Sequence, residues 1–324
     1  MSLSYDETSR TAKAGNITLH YHEAGPTQAG RGASEASVET AQGGGGFEAD
    51  SFGTSTALGG GLPLVMLHGG GPGASAWSNF GACLERFAAD FRVLLVDQPG
   101  FGASDKPPVE GNYFTFAADK LAALLDELGL ERVHLLGNSL GGGTATRFAL
   151  RHPKRVGRLI LMGPGGLQQP IFTPDPSEGL KRLYAFGGNP SRENMRAFIS
   201  VMVHDQSLVT DELVEERYAA AMAPGSQEAM ASMGASFMSP DTYEDGLLWR
   251  EAYKIRQHTL LTWGREDRVN PVDGAFLALK LIPKAQLHVF PRCGHWAQIE
   301  AAADFHAVAR AFLAQHVERP KEGT

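Results

Sequence analysis

Short, continuously apolar runs recur along this chain and are separated by longer amphipathic segments. A run without polar alternation predicts a strand buried on both faces, as in a parallel sheet covered by helices. Within residues 115–128, four leucines fall on one helical face, and Gly129 follows as a stop signal. The chain is therefore predicted to be α/β. An alternating strand is expected at 17–22, and the continuous runs lie at 64–67, 93–96, 133–136, 159–162, 259–263 and 287–290.

Residues 27–61 interrupt this pattern with ten glycines among thirty-five residues. Such a segment buries too little apolar area to offset the entropy lost on ordering it. We expect a flexible surface insertion between the strands at 17–22 and 64–67. The functional alternative for this segment is a phosphate-binding loop. The sequence, however, has neither a G-x-x-x-x-G-K-[ST] pattern nor a dinucleotide fingerprint after a strand.

A second interruption runs over residues 165–253, where helical periodicity replaces strand-like runs. A helical block inserted between two strands of an α/β sheet is a candidate lid. The predicted organisation is therefore a first core part at 1–164, a lid at 165–253 and a second core part at 254–324. Six of the nine methionines lie in the lid. Helical core packing explains most of them, and an adaptable wall around a bulky substrate is the alternative.

Composition excludes several functional classes. The formal net charge of -7, from 29 basic and 36 acidic residues, makes nucleic acid an unfavourable partner. The apolar runs are too short to cross a membrane, and the first ten residues resemble no secretory signal. Two cysteines, Cys83 and Cys293, form no disulfide framework. We expect a cytoplasmic protein without a membrane partner.

Candidate catalytic chemistry begins at Gly137-Asn138-Ser139-Leu140-Gly141, a G-x-S-x-G pattern between a predicted strand and a predicted helix. In this context a tight turn exposes the serine hydroxyl as a nucleophile. Standing alone, the pattern would be read as an ordinary turn. A hydroxyl also needs a base within hydrogen-bond reach and a third group that orients the base.

His295 is the predicted base, because among eleven histidines it alone occupies a glycine-containing loop directly after the last strand. Asp267 follows the strand at 259–263 and is the predicted orienting carboxylate. Asp97 also ends a strand, but it precedes Ser139, whereas the α/β-hydrolase order is serine, acid, histidine. Cys293 could suggest a thiol nucleophile, yet no shaped turn surrounds it, which favours an inert buried thiol.

The oxyanion formed by nucleophilic attack needs preorganised N–H donors. Leu140, the residue after the nucleophile, is the first candidate. The glycine-rich loop at 68–73, directly after the strand at 64–67, is expected to supply the second, with a plain structural turn as the alternative.

Taken together, these motifs resemble the meta-cleavage product hydrolases, α/β-hydrolases that cut carbon–carbon bonds in bacterial aromatic-ring catabolism. The resemblance spans nearly the whole chain outside 27–61, and within the family three strings, at 96–107, 175–183 and 249–257, are most similar to the steroid-degradation branch. The family strings are HGGGPGASAWSNF at 68–80, GNSLGGGTATRFAL at 137–150, LMGPGG at 161–166, WGREDRVNP at 263–271 and CGHWAQ at 293–298.

The resemblance implies a role for each matching residue. Ser139, Asp267 and His295 match the triad, and Gly70 and Leu140 match the oxyanion donors. A substrate carboxylate would need a cation with several donors, which arginine provides. From spacing alone, an arginine beside two glutamates would instead be interpreted as a solvated ion pair. The matching contacts for the dienoate end of the substrate are Asn79, Asn138, Arg217 and Trp296, with weaker contacts from Gly71 and Ser207.

The expected activity is hydrolysis of a C–C bond in a meta-ring-fission dienoate, favouring a steroid-derived acid, after a ketonisation assisted by His295. No metal or organic cofactor is implied, because the substrate itself stores the electrons. The resemblance also implies a homodimer. The alternatives are a hydrolase for biphenyl-type or other aromatic fission products, a carboxylesterase, a cofactor-free perhydrolase, and a non-catalytic ligand receptor.

Overall fold

The computed structural model describes residues 3–26, 61–169, 171–172 and 174–315. The predicted insertion at 27–61 lies outside the described residues except for Gly61. Its flexibility therefore stays a prediction.

The described residues form an eight-stranded sheet in the order β1-β2-β4-β3-β5-β6-β7-β8. β2 pairs antiparallel with both β1 and β4, and every other neighbouring pair is parallel. This confirms the prediction of a mostly parallel sheet. The strands are β1 (Ser9–Ala14), β2 (Ile17–Ala24), β3 (Leu64–Leu67), β4 (Val93–Val96), β5 (Val133–Asn138), β6 (Val156–Met162), β7 (His258–Gly264) and β8 (Ala285–Phe290).

All seven predicted strands are present. Three of them, β3, β4 and β5, are buried at every position, and β7 is buried after its first residue. β1 was not predicted. Its sequence SRTAKA offers one fully buried residue, Ala14, so it has almost no apolar signal. Backbone pairing with β2 over the whole range from Ser9 to Ala14 forms this strand instead.

Helices cover both faces of the sheet, and each face has its own apolar core. On one face, leucines of α3 and Phe148 of α4 pack on β5 and β6. On the other, Phe80 of α2 and Phe312 of α12 pack on β3 and β4. The helices are α1 (Tyr5–Thr8), α2 (Ala76–Ala88), α3 (Tyr113–Glu127), α4 (Leu140–Arg151), α5 (Glu178–Gly188), α6 (Arg192–Met202), α7 (Asp211–Ala221), α8 (Ser226–Met238), α9 (Tyr243–Gly246), α10 (Ala275–Leu281), α11 (Ala297–Glu300) and α12 (Ala302–Ala314).

Five of these helices, α5 to α9, lie between β6 and β7 and are here called the inserted helices. Their apolar cluster includes Met195, Phe198 and Met202 together with Val269 and Trp296, which follow β7 and β8 in the chain. The inserted helices are therefore packed onto the carboxyl ends of these strands. The division of the chain into domains stays a prediction.

Among the described residues, no helix is long and apolar enough to cross a membrane.

Candidate active site

Ser139 occupies the sharp turn between β5 and α4. Its backbone has a positive φ of 52°, a conformation that residues other than glycine rarely adopt. The Ser139 N–H donates to the Met162 carbonyl at 2.9 Å. The flanking glycines are required sterically. A Cβ at Gly137 would lie 2.3 Å from the Gly141 oxygen, and one at Gly141 would lie 2.1 Å from the Leu67 oxygen. The turn therefore holds Ser139 at the carboxyl edge of the sheet.

His295 and Asp267 form a buried pair at the same edge. The distance from His295 Nδ1 to Asp267 Oδ2 is 2.6 Å, and both side chains are 1% exposed. The other Asp267 oxygen, Oδ1, accepts the N–H groups of Val269 at 2.8 Å and Asn270 at 2.9 Å. The carboxylate is therefore oriented by the backbone that follows it, and it in turn orients the imidazole.

Ser139 and His295 line one cavity. His295 Nε2 is buried and has no hydrogen-bond partner among the described residues, so the two side chains are not hydrogen-bonded in this structure. Such hydrogen bonds are often long without substrate and tighten when substrate binds. The structure thus brings the three predicted triad residues into one site, with the Nε2 atom available to a group in the cavity.

The glycine-rich loop at 68–73 passes beside the nucleophile. A Cβ at Gly69 would lie 3.5 Å from the Ser139 Cβ, and one at Gly70 would lie 2.7 Å from Leu140 Cδ2. Gly70, Leu140 and Ser139 all line the cavity. The two predicted oxyanion donors are therefore adjacent to each other and to the serine.

Arg217 enters the cavity from α7 and is only 3% exposed. Its Nε and Nη2 donate to the Pro72 carbonyl at 3.1 and 2.8 Å, and its guanidinium carbon lies 5.7 Å from the centre of the Trp296 ring. Burial lowers the pKa of Arg217 to about 10. Within the described part of the chain, no carboxylate forms an ion pair with it.

The ion-pair interpretation of Arg217 is therefore wrong. Glu215 instead accepts two hydrogen bonds from Arg192 on α6, one of them 2.7 Å long. A signal for the correct interpretation exists in the sequence, because Val214, Arg217 and Ala221 share one helical face, and all three are buried.

Three other predicted contacts, Asn79, Trp296 and Gly71, also line the cavity. Asn79 is 6% exposed, and its Oδ1 is buried without a hydrogen-bond partner among the described residues. A Cβ at Gly71 would lie 2.9 Å from Phe198 Cε1, so this glycine leaves room for the Phe198 ring beside Arg217. These residues form a polar end of the cavity around one cation.

Asn138 and Ser207 do not line the cavity. Asn138 is fully buried beneath the nucleophile turn and donates to the Met162 carbonyl at 3.3 Å. Ser207 is exposed, and its hydroxyl donates to Asp205 Oδ1 at 2.7 Å. Asn138 Nδ2 and the Ser207 hydroxyl are thus hydrogen-bonded within the protein, whereas the buried Asn138 Oδ1 has no partner among the described residues. Substrate contacts from these two residues stay predictions.

The cavity has a volume of about 430 Å³ and an extended apolar wall. Apart from the methionines, for which a substrate wall was the alternative interpretation, sequence reasoning did not single out the residues of this wall, because aromatic residues and leucines at helical spacing are usually core residues. Both interpretations of the methionines hold in part: Met195 is core, whereas Met233 and Met238 of α8 face the cavity. The wall also contains Phe114 of α3, Leu180 and Leu183 of α5, and Phe237 of α8.

Asp97 and Cys293, which the sequence analysis set aside as the triad acid and the nucleophile, have other environments. Asp97 Oδ2 lies 2.8 Å from His20 Nδ1, and its Oδ1 accepts the Ala76 N–H at 2.6 Å, so this carboxylate is bonded to groups other than His295. Burial raises the pKa of the Cys293 thiol to about 12, as expected of an inert thiol. No cluster of three metal-binding side chains occurs within the described ranges.

A serine on a strained turn, followed in the chain by an aspartate and a histidine at the ends of later strands, defines the α/β-hydrolase class. The family model for the alpha/beta hydrolase fold matches residues 63–302.

Comparisons with individual proteins narrow the class. The chain is 42% identical, over 78% of its length, to the 2-hydroxy-6-oxo-6-phenylhexa-2,4-dienoate hydrolase of Burkholderia cepacia, 88% of which is covered. Identity and coverage are the same for the 2-hydroxy-6-oxononadienedioate/2-hydroxy-6-oxononatrienedioate hydrolase of Comamonas testosteroni. A solved structure of a meta-cleavage product hydrolase from Pseudomonas fluorescens superposes with a TM-score of 0.75 at 32% identity, covering 94% of this chain and 96% of that one. The chain belongs to the meta-cleavage product hydrolases of the α/β-hydrolase family.

Proposed function

We propose that this chain hydrolyses a C–C bond in a 2-hydroxy-6-oxo-dienoate by a Ser139–His295–Asp267 mechanism. The observation that carries the proposal is Arg217, a buried cation without a carboxylate partner in the described residues, which faces the cavity that Ser139 and His295 line. A buried charge needs a counter-ion. The substrate carboxylate supplies it and is thereby held at a defined end of the cavity.

The first proposed stage is ketonisation of the bound dienol. The 2-hydroxyl loses its proton and carbon 5 gains one, which leaves a 2-oxo group and a saturated carbon 5. His295 Nε2 has no hydrogen-bond partner among the described residues, so it is available to relay this proton. The new 2-oxo group, conjugated to the remaining double bond, can accept the electron pair released when the C5–C6 bond breaks.

In the second proposed stage, Ser139 Oγ attacks the carbon 6 ketone and its proton passes to His295 Nε2. Asp267 Oδ2 accepts the hydrogen bond from Nδ1–H and stabilises the imidazolium. The amides of Gly70 and Leu140 bind the oxyanion. Collapse breaks the C5–C6 bond, the dienolate fragment leaves, and water hydrolyses the acyl-serine. The electron sink lies within the substrate, so the mechanism calls for no cofactor.

We further propose that the group on carbon 6 is bulky, as in a steroid-derived diseco acid. The 430 Å³ cavity and its wall of aromatic, leucine and methionine side chains suit a large apolar fragment. Similarity to the steroid-degradation branch at 96–107, 175–183 and 249–257 also supports it. The homodimer and the cytoplasmic location stay predictions.

One comparison tests the reaction. The purified chain is mixed with a coloured 6-phenyl dienoate and, separately, with a neutral nitrophenyl ester. We expect rapid bleaching of the dienoate, and loss of both activities in Ser139→Ala. Ester hydrolysis without bleaching would identify a carboxylesterase, and dienoate binding without turnover would identify a receptor.

A second comparison tests the substrate size. We expect kcat/KM to be higher for a dienoate that carries a bicyclic ketone fragment than for the 6-phenyl dienoate. The reverse order would refute the steroid-derived substrate and leave the proposed reaction intact.

A further inference from the structure

The loop that carries Gly70 begins at His68, a residue outside the cavity lining. The His68 side chain is fully buried, and its ring packs edge-on against Phe101 with 5.1 Å between the centroids. Its Nδ1 lies 2.8 Å from the Gly69 carbonyl oxygen, and its Nε2 lies 3.0 Å from the Gln98 backbone nitrogen. Both ring nitrogens are therefore hydrogen-bonded to backbone groups.

These two contacts determine the tautomer of His68. A carbonyl only accepts, so Nδ1 must carry the proton and donate. The Gln98 N–H only donates, so Nε2 must present its lone pair. Burial also lowers the pKa of His68, which keeps the ring neutral. The histidine is thus one fixed donor aimed at one carbonyl.

The loop is tied in turn to the helix that follows the nucleophile. The His68 carbonyl accepts from Gln98 Nε2 at 2.7 Å and from the Gly141 N–H at 3.1 Å. Thr144 on α4 donates to Gln98 Oε1 at 2.7 Å. All of these groups are buried, so the start of the loop has little freedom relative to Ser139.

The Gly69 carbonyl and the Gly70 N–H belong to the same peptide. In a trans peptide the C=O and the following N–H point to opposite sides. Because the carbonyl is turned towards the buried His68 ring, the Gly70 N–H is turned away from it, towards the cavity that Gly70 lines. We infer that His68 is a positioning residue that aims the Gly70 N–H at the oxyanion. This inference rests on the proposed serine mechanism.

Two variants of His68 test it. His68→Leu fills the space but cannot donate to the Gly69 carbonyl, and we expect kcat to fall about 10²-fold on both the dienoate and the ester, with KM within about threefold. His68→Asn restores a donor close to the Nδ1 position, and kcat should stay within about tenfold of the wild type. His22→Leu is the matched control: it also replaces a fully buried histidine, but one bonded to Thr8, and activity should be retained.

Pre-steady-state kinetics distinguish a loss of Gly70 N–H orientation from a general disruption of the active site. Ketonisation forms no tetrahedral oxyanion, so its rate in His68→Leu should match the wild type while the later cleavage phase slows. Equal slowing of both phases would overturn the inference, as would a loss no larger than that of His22→Leu. If His68→Leu does not fold, the test rests on soluble His68→Asn. A kcat of His68→Asn more than tenfold below the wild-type value would contradict the positioning role of His68. Ester activity that survives Ser139→Ala would instead refute the proposed function itself.

Discussion

Arg217→Lys keeps a positive charge at the polar end of the cavity but removes the planar fork of donors. The guanidinium has five N–H groups. The edge formed by Nε and Nη2 is already used by the Pro72 carbonyl, which leaves the edge formed by Nη1 and Nη2 for a bidentate carboxylate. A single ammonium nitrogen must serve both partners. We therefore expect the variant to lose about one charge-assisted hydrogen bond to the dienoate, worth about 1.5–3 kcal/mol, or about 10- to 150-fold in kcat/KM.

The pH dependence gives a second, independent signature. Burial lowers the pKa of Arg217 from 12.5 to about 10, so the wild-type cation persists through pH 9. A lysine begins from a lower pKa, and the same burial would lower it further. The cationic form binds the carboxylate and is lost as the pH rises. Dienoate turnover by the variant should therefore begin to fall at a lower pH than that of the wild type.

The assay follows dienoate bleaching and nitrophenol release for the wild type, Arg217→Lys and Arg192→Lys. Arg192 is a matched control because it lies on the inserted helices but is 61% exposed and pairs with Glu215. We expect the control to retain both activities and Arg217→Lys to lose mainly the dienoate activity. Equal losses on both substrates by Arg217→Lys would refute the role in carboxylate binding.

Two further predictions concern the insertion and the order of the chemical stages. Replacing residues 27–61 with a short turn should change the free energy of unfolding by no more than roughly 1–2 kcal/mol, because closure entropy varies only logarithmically with length; denaturant titration measures this, and loss of folded, active protein would contradict it. In rapid-mixing absorbance, Ser139→Ala should convert the dienol to a distinct bound tautomer and then stall, whereas His295→Ala should suppress both stages. Steady-state turnover should fall about 10³- to 10⁶-fold in either variant. An early spectral change in His295→Ala but not in Ser139→Ala would assign ketonisation to another group.

Much of the sheet and the nucleophile turn could be predicted from the sequence because their signals are local. β3 and β4 have the predicted bounds, since Pro63 and His68 flank the four apolar residues of β3, and Arg92 and Asp97 flank those of β4. Ser139 lies between a strand and a helix as the G-x-S-x-G pattern indicates. β1 could not be predicted, because its residues are mostly exposed and only pairing with β2 makes it a strand.

The triad residues were predictable as a set for a related reason. Asp267 and His295 each follow a strand of a parallel sheet, and the carboxyl ends of such strands meet at one edge. Their order in the chain then excluded Asp97, which the structure pairs with His20.

The sequence by itself determined seven of the eight strands, the turn and the candidate triad, because hydrophobic period and glycine spacing act within a few residues of the chain. Only the tertiary structure decided which polar side chains face the cavity. Arg217 belongs to the site because α7 packs its buried face against the loop at 68–73, whereas Ser207, ten positions earlier, remains exposed. The physical reason is that burial and the choice of a hydrogen-bond partner depend on segments far apart in the chain, which no local pattern records.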